Sequence, residues 1–137
     1  MVKVIMGSRG SGKTKKMIDL VNKALTEEIG NVVCMEKGQN MRLNVKPSAK
    51  LIDVTEYPAV NGYDTLMAFI NGIYAGNYDV THVFIDSLYK IAACDDADQA
   101  GAFLEKLEKF SQTTGMKFTI MISADVATAP ESISKFF

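Results

Sequence analysis

Short, predominantly apolar runs separated by stretches of helical spacing restrict this chain more than any other feature. The clearest are Val2-Lys3-Val4-Ile5-Met6, Val32-Val33-Cys34-Met35, Val80 to Asp86 and Lys117 to Ile122. A run apolar at nearly every position suits a strand buried on both faces, as in a parallel sheet, whereas a half-exposed strand alternates. After Gly12, Met17, Leu20, Val21, Ala24 and Leu25 recur at helical spacing, and Gly30 is the expected residue beyond that helix. A second helix carries Leu66, Phe69, Ile70 and Ile73, with Asp64 as its cap and Gly76 as its stop. A third carries Phe103, Leu104, Leu107 and Phe110 behind the acidic segment Asp95 to Asp98, and Gly115 ends it. Leu51 to Val54 reads as a weaker strand after a polar loop from Glu36 to Lys50, and Pro130 opens a short terminal helix. This alternation predicts an α/β three-layer sandwich with a mostly parallel sheet of about five strands, forming a single domain over residues 1–137. Ligands of such sheets sit at the carboxyl ends of the strands, where Gly7 and Asp86 both fall.

Composition narrows the classes. A chain of 137 residues that is 47% hydrophobic can bury a core without disulfide or metal staples. Its 15 basic and 16 acidic residues leave a net charge of −1, which gives no overall attraction to nucleic acid or anionic lipid. Cys34 and Cys94 form no paired metal spacing and His82 is the single histidine, so zinc is not expected. The opening apolar run is too short for a signal peptide, and no run approaches a membrane span, so a cytoplasmic location is expected.

Gly7-Ser8-Arg9-Gly10-Ser11-Gly12-Lys13-Thr14 matches G-x-x-x-x-G-K-[ST] between a predicted strand and a predicted helix. Glycines let successive backbone N–H groups converge on phosphate oxygens, and the helix amino terminus adds its positive end. Lys13 would place a point charge on the β- and γ-phosphates, and the Thr14 hydroxyl would ligate Mg²⁺. Arg9 and Ser11 are further candidates for phosphate contact. The glycine order does not give the dinucleotide fingerprint G-x-G-x-x-G. His82-Val83-Phe84-Ile85-Asp86 is an apolar strand ending in a carboxylate that would hold Mg²⁺ through water. ATP and Mg²⁺ are therefore the expected ligands, and His82 is expected as a packed residue.

With these motifs the chain resembles the RecA-like branch of P-loop ATPases. Phe84-Ile85-Asp86-Ser87-Leu88 looks like that family's Walker B strand, and Val33-Cys34-Met35-Glu36 resembles the strand whose terminal Glu polarises the attacking water. The resemblance implies that Glu36 is the catalytic carboxylate, alongside Lys13. It likewise makes Ser123, and Asp125 beyond it, γ-phosphate sensors at the end of Thr119-Ile120-Met121-Ile122-Ser123. Within these 137 residues neither the recombinase DNA-binding loops nor the family's later strands are expected. Only Arg9 and Arg42 are present, so a transition-state arginine would come from a protein partner, from a neighbouring subunit, or from Arg42 across a homo-oligomer interface. Slow or partner-stimulated ATP hydrolysis is the leading expectation. The alternatives are a nucleotide-regulated adaptor, with the loop from Glu36 to Lys50 as its moving part, and a small-molecule kinase, for which no arginine-rich lid is visible. Neither an arginine-rich face nor an aromatic series favours nucleic acid.

Overall fold

The computed structural model describes residues 1–137. Its elements run β1 (Val2–Gly7), α1 (Lys13–Glu27), β2 (Asn31–Glu36), β3 (Lys50–Asp53), α2 (Tyr63–Gly76), β4 (Val80–Ile85), α3 (Leu88–Ala92), α4 (Ala97–Thr114), β5 (Lys117–Ser123) and α5 (Glu131–Ser134). The five strands form one sheet in the order β1-β5-β4-β2-β3, and every pairing is parallel. All carboxyl ends therefore share one edge of the sheet, which gathers Gly7, Glu36, Asp86 and Ser123 there.

The apolar runs are continuous because each strand serves two cores. Val33, Met35, Val83, Ile85, Phe118 and Ile120 join a cluster of 24 buried residues under α2 and α4, with Leu66, Ile70, Leu104 and Leu107 from the helices. Their alternate neighbours Val32, Cys34, Phe84 and Met121 join a cluster of 10 under α1, with Met17, Val21 and Ala24. The polar-looking segment after Glu36 completes that second face, since Met41, Val45 and Ala49 are buried in it. Asn22 of α1 pins the segment from both sides, donating to the Asn44 carbonyl at 3.0 Å and accepting from the Lys46 N–H at 3.0 Å. The segment is thus a packed cover rather than a free loop.

The two margins of the sheet differ. At β1 the Val4 N–H donates to the Phe136 carbonyl at 2.8 Å and the Val2 N–H to Glu108 Oε2 at 2.8 Å, while Ile133 and Phe136 bury themselves beside α4. At β3 the sheet ends on a four-residue strand with no further strand beyond it.

Several helix ends depart from expectation. α1 stops at Glu27, with Glu28 extended behind it, and Gly30 has no left-handed role. A Cβ there would lie 2.3 Å from the Asp79 carbonyl oxygen, so close chain packing excludes a side chain. Asp64 lies inside the first turn of α2, whose cap is Gly62, and Gly76 is the last helical residue before Asn77. Gly115 does close α4 in the left-handed region, with φ 79°, and Asp96 caps its start by accepting from the Asp98 and Gln99 N–H groups. α3 was not expected; five residues are too few to show a period.

His82 lies toward the opposite, amino-terminal end of the sheet from Gly7. Its ring stacks on Phe84 with centroids 4.1 Å apart, and Nε2 is 2.9 Å from Thr119 Oγ1. Nδ1 stands 4.0 Å from Glu28 Oε1, and Lys117 Nζ donates to Glu28 Oε2 at 2.8 Å. Burial pushes the imidazole down to about 4; the Glu28 carboxylate opposes the shift, while the Lys117 ammonium and the amino terminus reinforce it. The unfolded chain then takes up this proton near 6.5 and the folded chain only near 4, so stability present above pH 6.5 is lost as pH falls between these values. The expected loss is on the order of 3 kcal/mol, from ~1.4 kcal/mol per pH unit. Urea unfolding of wild type and His82→Gln from pH 7 to pH 4 should give curves whose difference shows this loss; parallel curves would contradict it. Glu36 and Asp86 are common to both proteins, so their titration cancels.

Candidate functional site

The turn after β1 is shaped by three glycines with different tasks. Gly7 pairs in register with Ser123, its carbonyl accepts from the Ala124 N–H at 3.1 Å, and a Cβ on it would lie 2.6 Å from Ser11 Oγ. The chain doubles back there, with the Ser11 N–H donating to the Ser8 carbonyl at 3.1 Å. Gly10 and Gly12 adopt φ 81° and 85°, values that strain any residue with a Cβ. Lys13 Nζ folds over the turn, donating to the Ser8 carbonyl at 2.8 Å, with Ser11 Oγ at 3.4 Å. α1 begins directly from Gly12 with no side-chain cap, so its first N–H groups keep their donor capacity toward the turn.

A cleft of ≈ 700 Å³ opens above this turn, between β1, β5 and β4. Arg9, Gly10, Gly12, Lys13 and Thr14 line one side, and Asp86 with Ser87 and Ser123 the strand ends. Gly7, Ser8 and Ser11 build the turn from within. Asp86 is 8% exposed, and its N–H donates to the Met35 carbonyl at 2.9 Å, which fixes the end of β4 against β2. Burial pushes the Asp86 carboxyl up; the Lys90 and Lys13 ammonium groups pull it back. Ser87 then turns the chain at φ 61°, a left-handed conformation costly for a residue with a Cβ. That turn aims α3 so that Tyr89 and Lys90 join the cleft wall, which Asn40 also lines. The sequence reading missed Asn40, Tyr89 and Lys90. For the latter two the missing signal is α3 itself, and Asn40 resembled any polar loop residue.

Glu36 stands beside this cleft rather than in its wall. It is 7% exposed and lines a neighbouring cavity of ≈ 250 Å³. Its Oε1 accepts from the Met41 N–H at 3.3 Å, and Oε2 is buried with no hydrogen-bond partner. Burial raises its carboxyl, the Met41 N–H opposes this, and the Asp86 charge raises it further. Arg42 shares the second cavity and donates to Gln39 Oε1 at 3.0 Å. Asp125 is spent as the cap of a single helical turn, accepting from the Ala127 N–H at 3.0 Å.

No cluster of three or more histidine, cysteine or carboxylate side chains is placed to hold a metal by itself. The cleft wall includes the Thr14 hydroxyl and, as its one carboxylate, Asp86, both hard oxygen ligands. Such a set fits Mg²⁺, which keeps several waters and shares its coordination with phosphate oxygens. No helix is long and apolar enough to cross a membrane. Neither a family model nor a curated protein matches the chain.

Proposed function

We propose that this chain is a P-loop nucleotide-binding protein of the RecA-like kind, which binds ATP with Mg²⁺ and hydrolyses it slowly or when a partner completes the site. One observation carries the reading: a glycine turn with the full motif shares a cleft with Asp86 and Ser123 at the carboxyl ends of three adjacent strands. The connections support it too. β1 leads into α1 on one face of the sheet, whereas β4 leads through α3 into α4 on the other, so the chain diverges around this cleft.

The chemistry follows from the residues. Backbone N–H groups of the turn and of the first turn of α1 donate to the phosphate oxygens, with the helix dipole favouring the anion. Lys13 moves its ammonium from the Ser8 carbonyl onto the terminal phosphates, exchanging a neutral acceptor for a charged one. Bound Mg²⁺ would neutralise charge developing on those phosphates, with Thr14 and Asp86 as its protein partners. Lys13 and Lys90 favour the ionised Asp86 that this role requires. Glu36, poised above the usual carboxylate range, is the group able to take a proton from an attacking water.

The test is calorimetric titration of ATP with and without Mg²⁺. Wild type is expected to bind ATP more tightly with the metal, and Asp86→Asn to lose about tenfold of affinity in its presence only. Absence of saturable ATP binding by wild type would overturn the reading. A nucleotide-regulated adaptor without turnover is the second reading, favoured by the position of Glu36 outside the cleft wall. Its moving part cannot be the whole segment between β2 and β3, because Met41, Val45 and Ala49 are anchored in the core.

A further inference from the structure

The cavity beside Glu36 has its own chemistry. Glu36, Asp53 and Glu56 present three carboxylates against one guanidinium, that of Arg42, and none of the four is in an ion pair. Gln39 occupies Arg42, accepting at 3.0 Å. Asp53 is kept anionic: hydrogen bonds from Thr55, and from the Gly38 N–H at 3.0 Å, hold its carboxyl below the usual range. Glu36, 7% exposed, contributes a buried oxygen that nothing in the chain satisfies, and such a group is costly unless a ligand or water partners it. Met41, Leu51 and Ile52 form the apolar part of the wall. At ≈ 250 Å³ the space is too small for a nucleotide and suits one short side chain or its equivalent.

We propose that this cavity is a second ligand site, for a guanidinium or ammonium group carried on a short alkyl stem. The stem packs on Met41, Leu51 and Ile52, and the cationic head meets Glu36 and the rim carboxylates of Asp53 and Glu56. The segment from Gly38 to Arg42 is the partition between the two spaces: Asn40 faces the phosphate cleft, while Gly38, Gln39, Met41 and Arg42 face the cavity. A cation seated there gives the unpartnered Glu36 oxygen the partner that the chain does not supply. The same chemistry can come from a free small amine or from a Lys or Arg side chain of a partner protein.

Methyl NMR titration, without nucleotide, of wild type, Lys13→Ala, Glu36→Gln and Glu56→Gln tests the site. The probes are agmatine, for a free small molecule, and N-acetyl-arginine methylamide, for a side chain on a backbone; sodium chloride at matched ionic strength is the control. Saturable shifts at Met41, Leu51 and Ile52 are expected in wild type and in Lys13→Ala, weakened about tenfold in each Glu variant, as for loss of one charge-assisted hydrogen bond. Binding of agmatine alone assigns a small-molecule ligand; binding of both probes assigns a site open to a partner's side chain. Shifts no larger than those from salt, or undiminished in both Glu36→Gln and Glu56→Gln, would overturn the proposal. Because nucleotide is omitted and Lys13→Ala is included, failure here is distinct from failure of ATP to bind.

Discussion

Lys13→Ala is expected to bind MgATP about a thousandfold more weakly than wild type while folding as well. The size follows from removing one partner of a charge-assisted contact in a cleft, which costs roughly 2–5 kcal/mol. Folding should be spared because Lys13 is in no ion pair and its two contacts, to the Ser8 carbonyl and Ser11 Oγ, lie within the turn itself. The shape of the turn rests instead on Gly7, Gly10 and Gly12. Competition with a fluorescent ATP analogue measures the affinity, and a urea melt that agrees with wild type within about 1 kcal/mol certifies the fold. An unchanged affinity would mean that nucleotide, if bound at all, sits elsewhere.

For Glu36→Gln the expected result is the reverse: affinity within about threefold of wild type, and phosphate release slower by two to four orders of magnitude, the usual worth of a positioned general base. Glutamine keeps the size and the hydrogen bond from the Met41 N–H but cannot accept a proton. Since burial raises the Glu36 carboxyl, wild-type turnover should already decline as pH falls toward a value above the ordinary carboxylate range, and the residual rate of the variant should lack that decline. The variant should be at least as stable as wild type near neutral pH. A folded-state value above the unfolded one means that the ionised form is held at a cost, which glutamine removes. Single-turnover phosphate release against pH reads both effects. A variant as fast as wild type would take the catalytic role from Glu36 and favour the adaptor reading.

The sequence made the parallel sheet legible because burial on both faces leaves a signature that no turn or cap can mask. Val33 and Cys34 enter opposite cores, so both had to be apolar. The glycine turn was equally legible, since Gly10 and Gly12 occupy left-handed positions that few other residues accept. What escaped lay where a short element gains its shape from neighbours. α3 owes its direction to the strained Ser87 and its anchorage to buried Leu88, Ile91 and Ala92, whose helical spacing spans a single turn and does not repeat. The cover formed by Met41, Val45 and Ala49 carries helical spacing, yet Gly38, Pro47 and the polar residues between hid it. Glu36 was placed correctly at a strand end, but which of two adjacent hollows a terminal side chain lines depends on the partition from Gly38 to Arg42, which spacing along the chain does not encode.

The unequal margins of the sheet set a direction for growth. A strand arriving from another molecule would find the β1 side already bonded through Val4 and Val2, and that side carries the glycine turn. Only the Lys50–Asp53 side is open to extension, with the width of three intervening strands between it and β1. Lateral association would therefore lengthen the sheet away from the cleft and leave its mouth unobstructed. Two copies joined antiparallel there would set Lys50 of each against Asp53 of the other, a register in which the charges at both ends attract.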